Sequence, residues 1–205
     1  MKIDKKTWNY LWIEWVKPIM VAAILAVIIR TFVVQPFKIP SNSMYPTLKP
    51  GDRIFVSKFI YGTHVPFTDI WVPEWKAPRI GDIVVFRSPV EKNKYLVKRF
   101  IAGEGETVQI KNGELFVNEE SVIGTPFNRF FYYNRGDYGS KNGGVTVPEG
   151  KFFVLGDNSE NSMDSRYWGF VPSNNLVGKA FVIHWPIGRM RLLSNPTGDV
   201  GGDTA

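Results

Sequence analysis

Two serines stand close together in a short polar segment, Ser41-Asn42-Ser43-Met44, with Pro40 before it and Pro46 after. Each proline fixes its own φ and restricts the residue before it, so these hydroxyls are held more rigidly than those of an ordinary loop. Ser, Asn and Pro also build plain turns, and that reading needs no chemistry. A serine hydroxyl becomes a nucleophile only beside a base. Lys98 is a candidate for that base, in Leu96-Val97-Lys98-Arg99-Phe100-Ile101. On a strand, alternate residues share a face. Lys98 then lies with Leu96 and Phe100, Arg99 with Val97 and Ile101, and one cation is forced among apolar neighbours. Either that side chain snorkels to water, or it is desolvated and its pKa falls. Acting as a base near neutral pH requires a drop of about 3 units from about 10.4, or roughly 4 kcal/mol, within reach of a buried lysine. A Ser-Lys pair is a known substitute for Ser-His-Asp. The run from Gly156 to Phe170 is too polar for a strand and reads either as a capped surface loop or as a shell of carboxylates, hydroxyls and an arginine supporting such a pair.

Other chemistries are removed by composition. The 205 residues contain no cysteine, which excludes disulfides, thiolate catalysis and cysteine-held metal. Only His64 and His184 are present, so no histidine-rich metal site is available, and neither histidine sits in a recognisable catalytic motif. No metal or organic cofactor is expected. The net charge of +6 is not gathered into a basic stripe, so nucleic acid is not the expected partner. Frequent Gly and Pro favour short strands and turns over long helices.

Nearer the N-terminus, Pro18 to Ile29 is apolar and uncharged. Extended from Val16 to Val34, with Arg30 snorkelling, the run is long enough to span a bilayer. Lysines and tryptophans precede it, as at a membrane interface, and no small-residue cleavage site follows it. The expected organisation is a cytoplasmic segment 1–15, a transmembrane anchor 16–34, an extracytoplasmic catalytic domain 35–193 and a disordered tail 194–205. The lysines on the near side place the N-terminus in the cytoplasm. After the anchor, strands are expected at Arg53 to Ser57, Ile83 to Arg87, Lys94 to Ile101, Thr107 to Ile110, Leu115 to Val117, Val145 to Val147, Phe152 to Leu155 and Gly178 to Trp185. Asn112-Gly113 between two apolar runs marks a hairpin. Two long loops, 61–79 and 124–144, are left without a partner. The first, with Phe67, Ile70, Trp71 and Trp75, either packs on itself or dips into lipid headgroups. The fold class is thus mainly β: one transmembrane helix followed by a mostly antiparallel β domain.

Four blocks occur in order: Ser41 to Leu48, Gly81 to Phe86, Tyr95 to Arg99, and Gly156 through Asp164 to Gly169. Together the blocks resemble those of the bacterial type I signal peptidases. The resemblance implies a membrane-anchored Ser-Lys endopeptidase that cuts signal peptides from secretory preproteins, at the outer face of the plasma membrane and with the lipid bilayer as its other partner. It implies Ser43 as nucleophile and Lys98 as general base. It also implies an oxyanion hole from the Ser41 hydroxyl and the Ser43 backbone N–H, and a Ser162 hydroxyl that orients the lysine. By the same resemblance Asp157 is expected to pair with Arg99, Asp164 to pair with Arg166, and Ile39, Leu48 and Val97 to line small substrate pockets. The chain departs from the family pattern at Asn42, where glycine is frequent, in the turn Gly103-Glu104-Gly105-Glu106, and at Ser159, where arginine is frequent. Two rival readings remain: another Ser-Lys protease of the self-cleaving repressor type, which would carry a DNA-binding segment in place of the anchor, or an inactive membrane-anchored β domain that only binds.

Overall fold

The computed structural model describes residues 12–28, 34–61, 63–64, 71–72, 76–122, 127–139 and 143–193. The expected tail, residues 29–33 of the expected anchor, and most of the aromatic loop 61–79 lie outside the described residues. Before the β domain, Trp12–Val16 and Lys17–Ile28 are helical. No helix among the described residues is long and apolar enough to cross a membrane.

The strands are β1 (Val34–Lys38), β2 (Arg53–Ser57), β3 (Thr63–His64), β4 (Trp71–Val72), β5 (Ile83–Arg87), β6 (Tyr95–Ala102) and β7 (Thr107–Lys111). They continue with β8 (Glu114–Val117), β9 (Glu120–Ser121), β10 (Val145–Thr146), β11 (Lys151–Leu155), β12 (Val171–Pro172), β13 (Leu176–Trp185) and β14 (Arg191–Leu192). One large sheet runs β1-β2-β13-β5-β6-β11-β12, with β14 beside the far end of β13. A smaller sheet runs β10-β7-β8-β9, and β3 pairs with β4. Every pairing is antiparallel. The mainly β, antiparallel expectation holds. Strands β2 and β5 have the bounds expected, and the Asn112-Gly113 turn has φ of 51° and 85°, the paired positive values of a tight hairpin turn.

Val34 opens β1, opposite Ser57, although its apolar run continues that of the expected anchor. Pro36 is tolerated in β1 because the strand lies at a sheet edge, where a missing donor breaks no ladder. The core has three parts. Ile39, Met44 and Leu48 pack on Ile54, Val56, Ile83, Val85 and Ile183. Phe86, Phe100, Phe152 and Val154 form a second cluster. Ile101, Phe153 and Leu155 join the small sheet to Phe127 and Tyr132 in the third.

Candidate active site

The segment carrying the two serines is a loop pinched at its base. Ile39 N–H donates to Asp52 O at 2.8 Å, and Gly51 N–H donates back to Ile39 O at 2.9 Å. Ile39, Met44 and Leu48 turn into the core beneath it, which leaves Ser41 and Asn42 exposed and Ser43 half-buried. Apolar anchoring at three points therefore fixes where Ser43 stands. Asn42 has no positive φ, so the departure from glycine costs the backbone nothing.

Strand β6 brings Lys98 to the same place. Its Nζ lies 2.6 Å from Ser43 Oγ, and Ser41 Oγ is 3.3 Å from Ser43 Oγ. Lys98 is only 3% exposed. Burial pulls its pKa from an ordinary 10.5 down to about 8, against the opposing pull of Asp164 and Asp157. Residues 55 apart in the chain thus form a serine hydroxyl and a weakened ammonium in direct contact.

Both cations of the Lys98-Arg99 step are buried, where alternation requires only one to be. Arg99 is stabilised by a fork onto Asp157, Nε to Oδ1 at 2.7 Å and Nη2 to Oδ2 at 2.6 Å, while Nη1 donates to Gly81 O at 2.6 Å. Asp157 also accepts from the Thr47 hydroxyl. The next residue closes the link to the serine loop: Asn158 N–H donates to Ser43 O at 3.0 Å, and its side-chain amide donates to Asn42 O at 3.2 Å. Asp164 caps the one-turn helix Ser165–Trp168 and takes the Arg166 fork, Nε to Oδ1 at 2.8 Å and Nη2 to Oδ2 at 2.9 Å. Ser159, a departure from the family pattern, accepts from Arg166 Nη1 at 2.6 Å through its hydroxyl. The other departure is a turn closed by Glu106, whose carboxylate accepts from Gly103 N–H at 2.6 Å.

Ser162 is buried beside the serine loop. A Cβ built on Gly156 would stand 2.1 Å from Ser162 Oγ and 2.5 Å from Ser43 O, so both press on the same point. Ser162 Oγ has no hydrogen-bond partner among the described residues, and it does not bond Lys98 here. Ile39, Leu48 and half-buried Val97 belong to the apolar cluster under the loop, and Leu48 has no exposed surface. His184 stacks on Phe55 with ring centroids 4.0 Å apart, and His64 lies in the short strand β3. Among the described residues no group of carboxylates and histidines could hold a metal ion. Sequence reading missed Thr47, Asn158 and Gly156, although all three lie inside the motif blocks. Their proximity to polar motif residues was the available signal.

A buried lysine thus stands within hydrogen-bond reach of a serine on an antiparallel β scaffold. The chain belongs to the signal peptidase family, peptidase S26, whose family model matches residues 12–185. It is an S26 peptidase, an enzyme of the kind that removes signal peptides. A signal peptidase I of Pseudomonas fluorescens is 35% identical over 94% of this chain and 80% of its own length. A signal peptidase I T of Bacillus subtilis is 38% identical over 91% of each chain. A solved signal peptidase I of Enterococcus faecalis is 33% identical over 51% of this chain and 97% of its own, with a TM-score of 0.42.

Proposed function

We propose that the chain is a membrane-anchored Ser-Lys endopeptidase that cleaves signal peptides from exported preproteins through an acyl-enzyme. The observation that carries this reading is the 2.6 Å approach of Lys98 Nζ to Ser43 Oγ with the lysine buried. In the neutral form Lys98 takes the Ser43 hydroxyl proton, and Oγ attacks the scissile carbonyl carbon. The oxyanion is met by the Ser41 hydroxyl and the Ser43 backbone N–H, donors of a kind whose loss costs about 10²–10³ in rate. The C–N bond breaks as the Lys98 ammonium returns its proton to the leaving amine, which departs as the new N-terminus of the mature protein. Lys98 then deprotonates a water that attacks the Ser43 ester. The C–O bond breaks, the proton goes to Oγ, and the signal peptide leaves with a free carboxylate.

The unpartnered hydroxyl of Ser162 is available to accept from the Lys98 ammonium once the proton has been taken. Asp157 with Arg99 and Asp164 with Arg166 hold the surrounding backbone. Ile39, Leu48 and Val97 shape small apolar pockets for the residues before the cut. Residues 16–33 form the anchor, since Val34 is already paired in β1, with 1–15 cytoplasmic and the catalytic domain on the outer side of the plasma membrane. Supporting the anchor are the uncharged run Pro18 to Ile29 and the helix over its first part.

The deciding experiment is cleavage of a preprotein in detergent by the parent chain, Ser43→Ala and Lys98→Ala. Both variants are expected to lose activity by a factor of about 10³ or more. Full activity in either sinks the mechanism, and full activity in Lys98→Ala alone returns the histidines to consideration.

A further inference from the structure

Arg99 follows Lys98 on β6, and its guanidinium is held from two directions. One is the fork onto Asp157. The other is aromatic: Arg99 Cζ lies 5.9 Å from the Phe127 ring centroid and 5.8 Å from that of Phe130. A cation over a ring face is attracted by the ring quadrupole, and more strongly where water is excluded. The Tyr132 phenol is buried beside them, with no hydrogen-bond partner for its hydroxyl among the described residues. Burial, then Asp157, pushes its pKa well up, so it stays neutral next to the ion pair. All three aromatics belong to the long loop for which the sequence gives no role.

The loop is fastened at the C-terminal end of this contact. Tyr132 N–H donates to Gly113 O of the hairpin turn at 3.0 Å. Tyr133 N–H donates to Ser159 Oγ at 2.8 Å, and Tyr133 O accepts from Arg166 Nη1 at 3.0 Å. One strap therefore lies over both buried ion pairs. Phe127, Phe130 and Tyr132 also line a cleft of about 480 Å³ against the small sheet, and Arg99 does not. The aromatic side chains are the wall between that cleft and the guanidinium.

That wall matters because the Arg99–Asp157 fork joins the two halves of the reacting pair. Arg99 is the chain neighbour of Lys98, and Asp157 holds Thr47 and precedes the Asn158 N–H that fixes Ser43 O. Water reaching the fork would weaken it by raising the local dielectric. We infer that Phe127, Phe130 and Tyr132 are positioning residues of the reaction: they keep the Arg99–Asp157 link dry and so hold the Lys98 amine in register with the Ser43 hydroxyl. The inference rests on the Ser43–Lys98 reading of the mechanism.

The test is a kinetic series on the full chain in detergent, with a preprotein substrate and rates normalised to folded protein. Phe130→Leu and Phe127→Leu keep apolar bulk and lose the ring face, whereas Phe130→Tyr keeps the face. Phe152→Leu alters a buried phenylalanine of a different cluster and matches the loss of packing. Each leucine variant of the strap is expected to lose about tenfold or more in kcat with KM unchanged, since a 1 Å misplacement of reacting groups costs about 10²-fold. The acid limb of its kcat/KM profile moves as well. Phe130→Tyr retains about a third or more of the parent rate, because the ring face is preserved. Phe152→Leu lowers the thermal midpoint and leaves kcat and the acid limb where they were. Phe127→Leu serves in place of Phe130→Leu if the latter does not fold. Unchanged kcat and acid limb in the strap variants, alongside an inactive Lys98→Ala, would overturn this inference and leave the mechanism standing. An active Lys98→Ala overturns both.

Discussion

Lys98 is where burial and chemistry meet most directly. At pKa about 8, roughly one amine in ten is neutral at pH 7, compared with about one in three thousand at the ordinary 10.5. In the proposed mechanism the neutral form is the base, so kcat/KM is expected to rise with pH and reach half its plateau near pH 8, as a pH–rate profile of the free enzyme would report. A limb near pH 6 or near pH 10 would contradict the assignment. The same shift has a stability sign. Between about pH 8 and 10.5 the unfolded chain holds the lysine proton and the folded chain has released it, so stability rises with pH across that window. Above the window the group costs nothing, and below it the folded state carries a buried ammonium at a cost of about 3 kcal/mol. Lys98→Met removes that cost. At pH 6 it is expected to unfold at higher temperature than the parent while having no activity, and the gain should vanish above about pH 10.5. Equal melting at pH 6, measured by calorimetry, would mean that the amine is not desolvated. The burial of Lys98 was legible in the sequence, since a lysine in an apolar strand has few comfortable places. That Arg99 is buried too was not legible from its strand, because its partner Asp157 lies 58 residues further along the chain and only the family resemblance named it.

At the level of elements, the parts with a local cause were the parts that could be read. Ile83 to Arg87 is β-branched and aromatic, and Asn112-Gly113 supplies the two positive φ values that a tight hairpin needs. Val34 to Lys38 escaped because an apolar run into a strand looks like the end of an apolar helix, and only pairing with Arg53 to Ser57 decides it. The long-range joints were also hidden. The polar block after β11 has no intrinsic preference for the serine loop, yet it meets that loop through Asn158 and Gly156. Gly156 is required by space: the missing Cβ leaves room for the Ser43 carbonyl at 2.5 Å and the Ser162 hydroxyl at 2.1 Å from its position. Gly156→Ala is therefore expected to push the Ser43 backbone aside, with a stability loss of about 1–3 kcal/mol from overpacking and a fall of about 10²-fold in kcat. Chemical denaturation and single-turnover kinetics measure the two effects separately. A variant with full kcat would show that the Ser43 backbone is not fixed by this contact.

For the whole molecule, the proposed anchor and the proposed catalytic pair sit at a short and defined distance. Ser43 follows Val34 by nine residues, which limits their separation to about 30 Å even for an extended chain. The first four of the intervening positions, 35–38, are in β1 with Val34, held against β2, so the tether is largely rigid. A substrate whose apolar segment shares the bilayer then meets the serine as an intramolecular partner, with an effective concentration set by the connection. Lengthening that connection tests the arrangement without touching the centre. A flexible Gly/Ser insertion of about 15 residues between Val33 and Val34 adds about 20 Å of average reach, and effective concentration falls as the separation grows. Cleavage of a short soluble peptide should be unchanged, because Ser43, Lys98 and their neighbours are untouched. Cleavage of a preprotein reconstituted in the same vesicles should fall several-fold, mostly in kcat/KM. If both substrates are cut at the parental rates, proximity to the membrane contributes nothing to turnover. If both rates fall together, the insertion has disturbed β1, and a melting curve of the variant would show it as a lowered midpoint. Only a selective loss on the membrane-held substrate supports a serine placed to work at the surface where signal peptides emerge.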